Sequence, residues 1–183
     1  MNKIVLLLTS ALLLCLCSFH NKTDDSTCYN MNIETVKDGN PVLWRTNSQH
    51  SDYAFSLDSI EGMGYCLSIK SPDGRKSQFG SWSNIISERF DGKWLTLSGY
   101  IKTEDVRNGY AGLWVRVDPD VSFANMSNNG VKGDSDWKRY ELTVPYSESA
   151  EQIVFGGMLI GEGQAWFDNF SISIDGVPVC RLD

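Results

Sequence analysis

The chain has 183 residues, 42% hydrophobic and 21% charged, with a formal net charge of −7. That length suffices for one well-buried domain and is short for two. The acidic balance argues against nucleic acid or anionic lipid headgroups as partners, because both are polyanions.

The first residues stand apart from any domain. "MNKIVLLLTSALLLCLCSFH" has a basic start at Lys3 and an apolar run from Ile4 to Leu16. That run is too short to span a bilayer, so it reads as a secretory signal. It ends on Cys15 and Cys17, each with a Leu three residues before it. This resembles a bacterial lipoprotein signal, in which the Cys thiol is acylated and becomes the new N-terminus. Cys17 is the preferred lipidation site. Leu16 is larger than the small residue such signals carry there, which leaves Cys15 and plain secretion open. On this reading residues 1–16 are the signal peptide and 17–28 the lipidated Cys with a polar tether. Residues 29–183 then form one domain, held at the cell envelope and touching the membrane only through the anchor.

The remaining cysteines are Cys28, Cys66 and Cys180, an odd number for an oxidising compartment. Cys28 lies just before the first expected strand and Cys180 just after the last. Chain ends of a single domain are often neighbours, so Cys28 and Cys180 are the candidate disulfide; three reduced thiols are the alternative. With His20 and His50 as the histidines, the wide spacings give no zinc signature.

From Cys28 onward, short alternating segments are separated by Gly, Asn, Asp, Ser and Pro clusters. "YAFSLDS" places Tyr53, Phe55 and Leu57 on one face, and "YCLSIKS" does the same with Tyr65, Leu67 and Ile69. "KWLTLSGYIKTE" turns Leu95, Leu97 and Ile101 inward, with Trp94, Thr96, Ser98, Tyr100 and Lys102 on the reverse. "WKRYELTVP" and "QIVFGGMLIG" follow as further strands. In "AWFDNFSISID" the inward parity reads Trp166, Phe170, Ile172 and Ile174. "SNIISERF" is the one stretch whose pattern would allow a helical turn. Many short strands with turn signals at this spacing predict an all-β fold, an antiparallel β-sandwich of Ig-like or jelly-roll type.

"GYAGLWVRVD" carries the functional hint. Its inward row is Ala111, Leu113, Val115 and Val117; the reverse row, Tyr110, Gly112, Trp114, Arg116 and Asp118, holds two large aromatics. In a jelly roll one sheet can curve into a shallow trough, which Tyr110, Trp114 and Arg116 would line. Trp and Tyr give broad contact for the C–H face of a sugar ring, and Arg116 can fork to paired oxygens. Gly112 would leave room for a ring. The alternative is that "SFANMSNNGVKGD" roofs the aromatics as a satellite core. Trp82 and Trp137 read as packing residues near strand ends, and Trp44 as core.

Three stretches, "LTLSGYIKTEDVRNGYAGLWVRVD", "GDSDWKRYELTVP" and "GEGQAWFDNFSISID", resemble galactose-binding-like jelly-roll domains found beside carbohydrate-binding modules in bacterial secreted enzymes. They look closest to a Bacteroidota subgroup joined N-terminally to peptidase or esterase-like domains. The resemblance covers Tyr29 to Asp175 and implies a jelly-roll sandwich. In those domains an Asp at the place of Asp168 helps hold a structural calcium with first-strand residues, here matched by Asn32 and Glu34. Oxygen ligands suit calcium. Read from parity, Asp168 points inward, where an unpaired carboxylate is costly; hydrogen bonds alone are the other way to satisfy it.

Catalysis has little to stand on. A G-x-S-x-G elbow is absent, and His50 is the single histidine of the domain. The expectation is therefore a non-catalytic envelope lipoprotein that binds a glycan. Its rival is a protein-interaction or structural lipoprotein partnered by an envelope protein, because exposed aromatics serve protein interfaces as readily.

Overall fold

The computed structural model describes residues 25–48, 53–60, 64–71, 79–119 and 121–180. The signal, Cys15, Cys17, His20 and His50 lie outside the described residues. A 3-10 turn (Asp25–Asn30) leads into a small hairpin, β1 (Val36–Lys37) and β2 (Asn40–Pro41). Then come β3 (Arg45–Ser48), β4 (Ala54–Ile60), β5 (Gly64–Ser71), β6 (Phe79–Ile86) and β7 (Trp94–Asp118). β8 (Ser122–Asn125), β9 (Val131–Pro145), β10 (Gln152–Ile174) and β11 (Val177–Pro178) complete the chain.

All pairings are antiparallel, and two very long strands, β7 and β10, pair with each other along nearly their whole length. Their register shifts around Ile160 to Gln164, where Gly161 and Gly163 take positive φ. There each strand leaves one sheet and enters the other. A front sheet runs β3–β6–β10–β7–β8, using the first half of β10 and the second half of β7. A back sheet runs β4–β5–β10–β7–β9, using the other halves. This is a jelly-roll β-sandwich.

Alternation fills the space between the sheets. Leu95, Leu97 and Ile101 from the back half of β7, and Ala111, Leu113, Val115 and Val117 from its front half, are all fully buried. The faces touch directly: Phe155 of the front sheet meets Phe170 of the back sheet at 6.0 Å, with Trp44 5.7 Å from Phe155 and 4.8 Å from Phe170. Gly157 is glycine because a Cβ there would run into the Phe167 ring. Trp82 is core as well, donating its indole N–H to the Ser68 carbonyl at 3.0 Å.

Two sequence expectations are corrected. "SNIISERF" makes no helical turn; its first four residues are strand β6, with Asn84 and Ile86 fully buried. Cross-strand packing outweighs local helix preference there. On β10, the inward residues before the bulge are Ala165 and Phe167, not Trp166 and Asp168. A register shift between Asp168 and Ser171, with Asn169 at φ 48°, flips the parity so that Phe170, Ile172 and Ile174 also point inward.

Cys28 and Cys180 are joined in a disulfide with Cα atoms 5.6 Å apart, which ties the chain's two ends together. Cys66 is a free, buried thiol whose pKa burial pushes up to about 12. Because the bridge closes a loop with a sequence separation of 152 residues, the double substitution of Cys28 and Cys180 to Ser is expected to lower stability by ~2–5 kcal/mol. Urea denaturation of the oxidised protein against that variant measures it.

Candidate functional site

The outward positions of the two sheets differ in kind. On the back sheet most are polar: Thr96, Ser98, Lys102 and Glu104 on β7, Ser56 and Asp58 on β4. Trp94, Tyr100 and Trp166 also face outward there, the first two exposed; the Trp166 indole N–H is held by Asp58 Oδ2 at 2.7 Å, and Lys102 Nζ stands 5.7 Å from its ring centre. On the front sheet the outward row is largely apolar. β10 turns out Val154, Met158 and Ile160, β6 turns out Phe79 and Ile85, β7 turns out Trp114, and β8 turns out Phe123. Phe123 is 61% exposed.

All of these side chains but Val154 and Ile85 border an open concavity of about 380 Å³. Phe79, Trp114, Phe123, Met158 and Ile160 give it an apolar floor and wall, while Asn47, Ser81, Asn125 and Arg116 supply polar groups. The register explains the assembly. Trp114 lies opposite Gly156 on one side and Asn125 on the other, and Arg116 lies opposite Phe123. From β3 to β8, four inter-strand steps of ~4.8 Å make a groove about 19 Å across. The Trp114 indole N–H is buried and has no acceptor among the described residues, which costs ~1–3 kcal/mol.

The sequence-derived trough residues separate here. Trp114 and Arg116 border the concavity; Tyr110 does not. Tyr110 is only 9% exposed, because the segment after β8 passes over it, and a Cβ on Gly130 would run into its ring. That burial raises the phenol's pKa above its ordinary value. Gly112 makes room for a neighbour in the chain rather than for a ligand: a Cβ would stand 2.7 Å from Cβ of Met126. Met126 is fully buried, and its Sδ accepts the Leu113 amide at 3.2 Å. The loop therefore roofs the Tyr110 end of the strand and leaves the Trp114 end half-open.

Arg116 is held along its own strand. Its Nε and Nη2 donate to Asp118 Oδ1 and Oδ2 at 2.7 and 2.9 Å, and Gln152 Nε2 donates to Oδ2 at 2.7 Å. The hydrogen bond from Arg116 is the main reason the Asp118 carboxyl sits below its usual pKa. Folding thus gains from the ionised Asp118 at neutral pH, and that gain fades as pH falls through the lowered value.

The metal expectation finds its carboxylates engaged by the chain itself. Asp168 faces outward on the back sheet, 1% exposed, and accepts the Asn169 amide at 2.6 Å and Asn169 Nδ2 at 3.2 Å. Glu34 accepts the Tyr65 amide at 2.9 Å. The N-terminal loop is organised by Asn30, whose carboxamide takes the Thr35 amide at 2.8 Å and donates to the Thr35 and Val42 carbonyls at 2.9 Å. Among the described residues no three His, Cys, Asp or Glu side chains gather as metal ligands.

Known structures with the same architecture include carbohydrate-binding modules. TmCBM61 in complex with beta-1,4-galactotriose superposes with a TM-score of 0.55 at 14% identity, over 79% of this chain and 95% of that one. The chain shares their jelly-roll sandwich fold. The CBM22-1 xylan-binding domain of Paenibacillus barcinonensis Xyn10C matches at TM-score 0.51 and 13% identity, covering 83% and 94%. The fold also carries enzymes: the Stig cyclase Fisc from Fischerella sp. TAU matches at TM-score 0.53 and 10% identity, covering 78% and 93%. No protein-family model matches the chain. In sequence it is 39% identical over 103 residues to the uncharacterized HTH-type transcriptional regulator YbfP of Bacillus subtilis (strain 168). That stretch is 53% of this chain and 35% of the regulator, so the chain spans about a third of that relative's length.

Sequence reasoning missed Phe123, Phe79, Met158 and Ile160 as trough residues. The available signal was "QIVFGGMLIG", which is apolar on both parities where a half-buried strand is apolar on one. Gly112→Val is expected to unseat Met126 and lower stability by ~1–3 kcal/mol through overpacking; a thermal melt of that variant measures the loss.

Proposed function

We propose that this domain is a non-catalytic glycan-binding module whose ligand lies in the front-sheet trough, on a lipoprotein anchored to the cell envelope through Cys17. One observation carries the binding reading. The outward row of the front sheet is apolar and aromatic within a concavity, where alternation alone would put polar residues. Phe123 and Trp114 offer ring faces to sugar C–H groups, while Asn47, Asn125 and Ser81 offer hydrogen bonds to hydroxyls. The glycan ligands named for two modules of the same fold, galactotriose and xylan, support the ligand class.

The exposed Phe123 also suits a protein partner, and binding assays separate the two. In affinity gels holding galactan or xylan, a soluble chain starting at Ser26 should be retarded. Phe123→Ala should cut that retention at least about tenfold while leaving the melting temperature in place, since exposed substitutions usually stay within about ±0.5 kcal/mol. Trp114→Ala should abolish retention but also cost some stability, because this indole is half-buried. Blank gels across a broad polysaccharide panel, together with recovery of one envelope protein in a pull-down, would replace the sugar reading with the interaction reading. The anchor has its own test: Cys17→Ala should move the protein from the detergent phase to the aqueous phase on Triton X-114 partitioning.

A further inference from the structure

Arg116 is the one charged side chain among the described residues that border the trough. It also borders a second concavity of about 280 Å³, completed by Val117, Asp118, Ser122 and Phe123. Arg116 and Phe123, directly opposed across β7 and β8, therefore form a ridge between two hollows that a single extended ligand would cross.

An unpaired guanidinium on that ridge would recruit carboxylates, which it binds best as a two-pronged fork. Here the fork is already filled. Asp118, two residues along the same face of the strand, takes Nε and Nη2 at 2.7 and 2.9 Å. Gln152 pins the same carboxylate from β10 at 2.7 Å, so the pair is fixed from two strands. The ion pair also draws the guanidinium along the strand, and Arg116 stays about half exposed while bound.

We propose that the Arg116–Asp118 pair is a specificity device: it satisfies the guanidinium internally, so that the trough accepts neutral glycan chains and rejects uronate-containing ones. The device rests on the glycan-binding reading. A uronate approaching Arg116 meets the Asp118 carboxylate already in the fork, on a chain of formal net charge −7.

The test compares retention of the purified protein in affinity gels of neutral galactan or xylan and of polygalacturonate. Wild-type protein should be held at least about tenfold more strongly by a neutral polymer. Asp118→Asn should raise affinity for polygalacturonate about tenfold at low salt, and the gain should vanish near 0.5 M NaCl, where exposed charges are screened. Adding Arg116→Gln to Asp118→Asn should remove the gain. If Asp118→Asn melts too low to assay, Asp118→Ser replaces it. The device is overturned if a folded Asp118 variant gains no polygalacturonate retention, or if the gain survives without Arg116. Wild-type protein that prefers polygalacturonate overturns it too, while leaving the glycan reading standing. Wild-type protein held by no polysaccharide sinks that reading and the device with it.

Discussion

Pairing between β7 and β10 is the constraint on which everything else depends. Each strand is long enough to serve both layers, 25 and 23 residues, and each carries a buried residue at nearly every second position in each half. Hydrogen bonding fixes the two against each other, and alternation then decides which side chains are enclosed. A slip of one residue would send Leu113, Val115 and Val117 to water and Trp114 and Arg116 into the core. Burying the Arg116–Asp118 ion pair and losing the aliphatic row to water would both be costly, which disfavours that register.

The trough follows as a consequence. Once the aliphatic row is committed inward, the reverse row of the front sheet needs cover or a ligand. The chain covers part of it: the segment after β8 seats Met126 over Gly112 and brings Gly130 against Tyr110. It stops there, and Trp114, Phe123, Phe79 and Met158 remain around an open hollow. Glycines at Gly112 and Gly130 allow the roof to come close at one end. The bulkier Trp114 next along the strand stands beside the hollow the roof leaves open.

Much of the sandwich is legible along the chain, because the evidence for it is local. The inward residues of 95–101 and 111–117 follow from period-two alternation, and Trp44 reads as core from its apolar setting. The failures share one cause. The bulge at Asn169 inverts the parity of Trp166 and Asp168, and the sole mark of it in "WFDNF" is Asn169 itself, a residue type that tolerates positive φ. The end of strand β6 reads as a helical turn because its outward and inward residues are both partly apolar, and its partners, β3 and β10, lie far away in sequence. Phe123 reads as part of a covering loop, yet it forms a wall of the hollow.

By itself the sequence determined the fold class, much of the core's composition and the presence of aromatics on the reverse row of β7. These depend on alternation, turn residues and residue type, all of which are written along the chain. The tertiary structure alone decided which of those aromatics stay reachable, which carboxylate meets Arg116, and where Asp168 points. Each of those outcomes depends on register and on the path of a loop, and both are set by contacts between residues far apart in sequence, where local pattern carries no information.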